Sequence, residues 1–145
     1  MVEIVLTPLE REAMSMLLAG DDPDLHALSA QFNIATAIRR EMTGVGFYVD
    51  FHVPDCHRLG DRNFEIGDVS AEIDGLEYGA SFIVFVRHGI LSQLEGCSCV
   101  GSWPTDVQQF KFSYDQYVGK EDSGRISVVD PSPKRDLEML KRSIR

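Results

Sequence analysis

The apolar residues of this chain change their period at Met42-Thr43-Gly44, and this change constrains the fold more than any other feature. From Thr7 to Met42 they recur every three or four positions, which is typical of helices with one buried stripe. From Val45 to Val53 they alternate with other residues, which predicts a strand with one buried face. The sequence therefore predicts an α+β fold, in which an N-terminal helical hairpin packs on one face of a four- to five-stranded antiparallel sheet.

The two predicted helices each begin at a capping signal. Thr7 and Glu10 have the spacing of a capping box, and Asp21 or Asp22 precedes a proline at the start of the second helix. The apolar stripe of the second helix continues at helical spacing through the following residues: Leu25, Leu28, Phe32, Ala35, Ile38 and Met42. We therefore expect this helix to end at Thr43-Gly44 and the first strand to follow directly.

Further strands are predicted downstream of the first. The segment Phe64–Ile73 changes phase at Gly67, which predicts a β-bulge. Residues Ala80–Val86 are apolar on both faces, as in the middle strand of a covered sheet. Alternation also predicts strands over Ile90–Val100 and from Phe110 onward. We expect residues 1–115 to form a single α+β domain and residues 116–145 to form a polar tail with a short C-terminal helix.

The side chains that alternate away from the predicted helices define a second sheet face. Ile83 and Phe85 form an apolar strip there, and polar groups flanking an apolar strip are typical of a ligand cleft or an interface. Asp68 and Ser70 are expected on this face beside Glu72, although an ordinary solvated face fits the same pattern. The candidate binding residues on this face are Tyr48, Asp50, His52, Glu72, Ile83, Phe85 and Glu95.

The cysteines allow a second hypothesis. Cys97 and Cys99 lie two apart on a predicted strand, so both sulfurs point to one face. Zinc sites more often use Cys-x-x-Cys turns, so unreactive cysteines are the favoured interpretation and a metal site at this pair is the alternative. We predict no cofactor, no metal ligand and no catalytic residue. The odd cysteine number argues against a disulfide framework and predicts a cytoplasmic protein.

Charge narrows the classes of partner. The chain has a net charge of −9, and residues 1–115 hold 18 of its 23 acidic residues but only 7 of its 14 basic ones. Such a body repels phosphate backbones, which disfavours nucleic acid, and no apolar stretch is long enough to span a membrane. Residues Met1–Leu6 lack the basic and apolar regions of a signal peptide.

These observations predict a small, non-enzymatic protein-interaction or binding module. We expect it to form a homodimer or to bind another protein, and its acidity suits an inhibitory or immunity-like role toward a basic partner. Two alternatives remain open at this point. One is a small-molecule-binding protein or enzyme that uses the open face, and the other is the metal protein.

The segment Arg40–Phe47, with its TGVGF core, resembles a segment of small uncharacterised bacterial proteins. Leu94-Glu95-Gly96 and Trp103-Pro104 have similar counterparts in those proteins, and the resemblance covers about residues 35–114. It implies a bacterial, cytoplasmic origin. It implies no catalytic or binding residues, because none are assigned in proteins of this kind.

Overall fold

The computed structural model describes residues 3–54, 57–120 and 126–145, with strand residues 117–120 and 126–129 described by their backbone alone. Its elements in chain order are α1 (Pro8–Leu17), α2 (Pro23–Ile34), β1 (Thr36–Met42), β2 (Gly46–His52), β3 (Phe64–Ile73), β4 (Ala80–Arg87), β5 (Ile90–Ser98), β6 (Phe110–Lys120), β7 (Ile126–Ser132) and α3 (Leu137–Ile144). The strands form one antiparallel sheet with the order β1-β2-β5-β4-β3-β6-β7.

Helices α1 and α2 begin where the capping residues predict. The Thr7 hydroxyl accepts a hydrogen bond from the Glu10 amide at 3.1 Å, and the Glu10 carboxylate accepts one from the Thr7 amide at 2.9 Å. The Asp22 carboxylate accepts from the amides of Asp24 and Leu25 at 3.0 and 3.2 Å. Each cap pairs amides that the helix itself leaves free, which is worth about 1 kcal/mol.

The predicted extension of the second helix to Met42 is wrong. Helix α2 ends at Ile34, Ala35 is extended, and the next seven residues form β1, which pairs with β2. Met42-Thr43-Gly44 leads instead into a hairpin turn, where Gly44 has a φ of 91°. The Thr43 amide closes this turn by donating to the Gly46 carbonyl at 3.0 Å. The true change from helix to strand therefore lies at Ala35, because pairing with β2 outweighs a helical spacing that persists by coincidence.

The sheet has seven strands, whereas four to five were predicted. The additional strands β1 and β7 are its two edges. On β1 only Ala37 is buried, and the exposed charged residues Arg39 and Glu41 are typical of an edge that resists pairing with other chains. Since an edge strand buries so few side chains, its sequence carries little apolar alternation.

Strand β3 contains the bulge predicted at Gly67. Ile66 pairs with Val84 and Val69 pairs with Phe82, so β3 has one residue more than β4 between these pairs. The extra residue reverses the alternation and places Asp68 on the buried side with Val69. The expectation that Asp68 shares the open face with Ser70 and Glu72 is therefore wrong.

The core lies between the helices and one side of the sheet. Helix α1 contacts β3, β4 and β6, α2 contacts β5, and α3 contacts β3. Phe32 of α2 packs edge-on against Phe51 with ring centroids 5.9 Å apart, and the Tyr114 hydroxyl donates to the Met16 carbonyl at 2.7 Å. Fully buried side chains of this core include Met14, Leu28, Val49, Phe82, Val84 and Leu94.

The C-terminal segment docks on this core through an ion pair and a helix. Arg135 donates to both carboxylate oxygens of Asp68 at 2.7 and 2.8 Å and to the Ala19 carbonyl at 2.6 Å. Both charged side chains are less than a tenth exposed. Leu140 and Ile144 of α3 are buried in the core, so α3 belongs to the helical layer.

Candidate functional site

The side of the sheet away from the core carries two neighbouring rows of chemically mixed side chains. Because directly paired residues share a face, the pairings place Tyr48, Glu95 and Ile83 in one row across β2, β5 and β4. The adjacent row contains Asp50, Gln93 and Phe85 on the same strands. We call these six residues the central patch: Tyr48, Asp50, Ile83, Phe85, Gln93 and Glu95.

Polar groups of the central patch are held by one another. The Gln93 amide donates to the Asp50 carboxylate at 2.7 Å, and Arg39 of the edge strand lies 3.7 Å from the same carboxylate. The neighbouring Glu95 carboxylate raises the pKa of Tyr48 above its ordinary value. Tyr48 is therefore neutral at physiological pH, and its hydroxyl is able to donate a hydrogen bond.

The apolar members of the patch lie toward its β4 side. Ile83 and Phe85 are both partly exposed, and Ile83 also covers the backbone of Gly67 on β3. The Arg87 guanidinium stacks over the Phe85 ring at 5.2 Å and donates to Glu65 at 2.8 Å. The patch is thus an aromatic and aliphatic strip flanked by charged groups, a composition typical of protein-binding surfaces.

Two of the sequence-predicted residues lie apart from this patch. His52 is exposed at the end of β2, beyond the last β2–β5 pair, and its backbone partner is Thr36 on the edge strand. Glu72 lies on β3, where it pairs with Lys111 of β6 near the opposite end of the open face. The structure therefore brings five of the seven predicted residues together and separates the other two.

A cavity of about 530 Å³ opens at that opposite end of the face, and sequence analysis did not identify it. Its floor is formed by neighbouring positions on β3 and β6, and the β3–β4 loop with Tyr78 forms one wall. Residues that line it include Ser70, Glu72, Leu76, Lys111, Ser113 and Asp115. The volume lies in the range of small-ligand sites. The alternation of Lys111, Ser113 and Asp115 predicts one face of a strand. It does not show which strand pairs alongside, and the cavity depends on that pairing.

Asp115 lies on the floor of this cavity. The carboxylate is half-buried, and the Ser70 hydroxyl donates to it at 2.8 Å. Burial raises the pKa of Asp115, the Ser70 hydrogen bond opposes that rise, and the charge of Asp68 across the sheet adds to it. A carboxylate in this position is stabilised by any cation or hydrogen-bond donor that enters the cavity.

The cysteine pair does not form a closed ligand set within the described part of the chain. Cys97 is partly exposed on the open face, and Cys99 is exposed beyond the end of β5, where its amide donates to the Gly79 carbonyl. Among the described residues, no three His, Cys, Asp or Glu side chains are grouped so that they could hold a metal ion. Cys56 lies outside the described residues, and neighbouring His57 offers its backbone carbonyl to Gln31.

Comparison of the chain with protein-family models, with curated proteins and with solved structures found no match. None of the helices in the described ranges is long and apolar enough to cross a bilayer. The features of this chain that bear on function are therefore the geometry and the charge of its open face.

Proposed function

We propose that this chain is a non-enzymatic interaction protein that presents its open sheet face to a basic protein partner in the cytoplasm. The observation that carries the proposal is the central patch, where partly exposed Ile83 and Phe85 lie between carboxylates. Buried apolar and aromatic anchors supply most of the binding energy in protein interfaces, and surrounding charges select the partner.

The charge of the open face favours a partner of the opposite sign. Asp50, Glu95, Glu65, Glu72 and Asp115 all lie on this face, and their carboxylates outnumber the cations interspersed with them. Two copies of the chain that met face to face would bring these carboxylates against one another, which costs several kcal/mol. A basic protein would instead gain long-range attraction and faster association. The homodimer predicted from the sequence is therefore the second choice.

The two described cysteines support the proposed location. Cys97 and Cys99 are both unpaired and at least partly exposed. Exposed thiols persist in a reducing compartment, whereas secreted proteins tend to pair them. The sequence resemblance to bacterial proteins is consistent with a bacterial cytoplasm.

The test is affinity capture from the source cells with the wild type and two matched variants. Phe85→Glu places a charge in the apolar strip, while Ile34→Glu alters a residue that is 47% exposed at the end of α2, away from the open face. We expect the wild type and Ile34→Glu to retain a basic protein that Phe85→Glu does not retain. High salt should release that protein, because screening weakens the attraction between exposed charges.

Three outcomes would contradict the proposal. The first is capture of the same proteins by Phe85→Glu and by the wild type. The second is a specific partner that is acidic, and the third is a dimer of the wild type at micromolar concentration that Phe85→Glu converts to a monomer. Light scattering of the purified, untagged protein measures the last of these directly.

A further inference from the structure

The cavity beside Asp115 is continuous with the central patch. Ser81, Ser70 and Ser113 form a row of small side chains across β4, β3 and β6, and Ser81 lies two residues before Ile83 on the same face of β4. Two residues along a strand span about 7 Å. A partner that covers the patch would therefore have side chains within reach of the cavity.

The floor of the cavity combines one half-buried carboxylate with two hydroxyls. The Oδ1 atom of Asp115 accepts a hydrogen bond from the Ser70 hydroxyl at 2.8 Å. Within the described part of the chain, this is the one hydrogen bond between this carboxylate and another side chain. Among the described residues no side chain donates to the Oδ2 atom, and the Ser113 hydroxyl lies on the same face two residues away. Leu76 and the ring of Tyr78 add apolar wall beside these polar groups.

We propose that this cavity receives a lysine side chain of the basic partner, with its ammonium group at Asp115. The inference rests on the proposed function, since it names the partner group that enters the open face. The ammonium group donates to the Asp115 carboxylate and to the serine hydroxyls, while its methylene stem packs against Leu76 and Tyr78.

The free acceptors suit lysine better than arginine. A guanidinium group binds a carboxylate through two parallel hydrogen bonds and therefore needs both oxygens. The acceptors of the cavity are spread over one carboxylate and two serine hydroxyls, and the three separately directed donors of an ammonium group match such spread acceptors better than the planar fork of a guanidinium group does. Lys111 is exposed at the side of the cavity, where it pairs across the strands with Glu72, and that carboxylate offsets its charge.

The experiment uses n-butylammonium as a probe for the lysine side chain, with n-butanol and n-butylguanidinium as comparisons. Binding is followed by amide chemical shifts of the whole protein. We expect n-butylammonium to move the amides of Ser70, Ser113 and Gly79, and each comparison compound to bind at least tenfold more weakly. Asp115→Asn keeps an acceptor for Ser70 and should weaken n-butylammonium binding about tenfold or more, since a charged hydrogen bond is lost.

Asp50→Asn is the matched control, because it removes a carboxylate from the same face outside the cavity. The inference is supported when Asp115→Asn loses binding and Asp50→Asn retains it. Equal losses in the two variants would indicate general attraction by an acidic face and would overturn the inference, as would the absence of shifts at the cavity.

Partner binding separates this inference from the proposed function. A partner that Phe85→Glu fails to bind, but that Asp115→Asn binds with unchanged affinity, would overturn the lysine site and leave the proposed function standing. A cavity that binds n-butylammonium in a protein with no partner sensitive to Phe85→Glu would overturn both the proposed function and the lysine source.

Discussion

Replacing Arg135 with methionine tests how the C-terminal segment is held. Asp68, which is buried beside the β3 bulge, would lose two hydrogen bonds of 2.7 and 2.8 Å, and the Ala19 carbonyl would lose one of 2.6 Å. The variant would also lose the stacking of the guanidinium over the Tyr114 ring at 5.0 Å. Because a buried carboxylate without its partner costs about 3–5 kcal/mol, we expect the free energy of unfolding to fall by that amount.

The assay is urea unfolding followed by circular dichroism and by the fluorescence of Trp103, the one tryptophan of the chain. In a thermal scan, the melting temperature of Arg135→Met should lie roughly 6–20 °C below that of the wild type for a protein of this size. Replacing both partners, with Asp68→Leu added to Arg135→Met, should recover most of the loss, since apolar residues can substitute for a buried ion pair.

The control is Arg39→Met, which breaks the exposed contact between Arg39 and Asp50. Their side chains are 63% and 30% exposed, so this change should cost about 0–1 kcal/mol. A loss below about 1 kcal/mol for Arg135→Met would refute the reasoning, because it would mean that the Asp68 carboxylate is adequately solvated without its partner. A double variant as unstable as the sum of the single changes would refute it equally.

Three further predictions concern other parts of the fold. Gln31→Leu should lower the free energy of unfolding by about 1–3 kcal/mol and speed hydrogen exchange of the Leu91 amide. The reason is that the buried Gln31 side chain donates to the carbonyls of His57 and Gly89 and accepts a hydrogen bond from the Leu91 amide. Unchanged exchange at Leu91 would contradict this prediction. Gly46→Ala should lower the free energy of unfolding in urea by about 3 kcal/mol, because a Cβ atom there would overlap the Gly96 carbonyl oxygen of the paired strand. A variant as stable as the wild type would contradict this and would show that the β2–β5 pairing can shift. Asp22→Ala should cost about 1 kcal/mol at neutral pH through loss of the cap. Although burial opposes the shift, the amides of Leu25 and Asp24 together with Arg145 hold the pKa of Asp22 below its ordinary value of 3.8. The difference from the wild type is therefore fully present above pH 3.8 and should shrink as the pH falls below that value, and a difference independent of pH would contradict the assignment.

Much of the sheet could be predicted because its central strands bury one face. Phe47, Val49 and Phe51 are all buried on β2, as their alternation indicates, and β3 has the predicted bounds Phe64–Ile73. Edge strand β1 could not be predicted in this way. Ala37 is its one buried residue, and a bulge after it interrupts the alternation, so the apolar spacing continued to resemble a helix.

The candidate site also contains some residues that the sequence predicts and others that it does not. Tyr48, Asp50 and Glu95 were assigned to the open face from alternation within their own strands, and the pairing of β2 with β5 makes them neighbours. Asp115 and its cavity were missed because they depend on two facts that alternation does not contain. One is that β6 pairs with β3, and the other is that the β3–β4 loop folds over the end of the sheet.

Three features can be predicted from local sequence alone: the capped starts of α1 and α2, the alternation of the central strands and the bulge at Gly67. These features follow from local physics, since each depends on backbone hydrogen bonds and on side-chain periodicity within a few residues. Three other features are visible only in the folded chain: residues 36–42 form a strand, Asp68 turns inward to Arg135, and a cavity forms at Asp115. Each of these depends on which distant segment lies alongside, because burial and pairing energies arise between segments that are far apart in the chain.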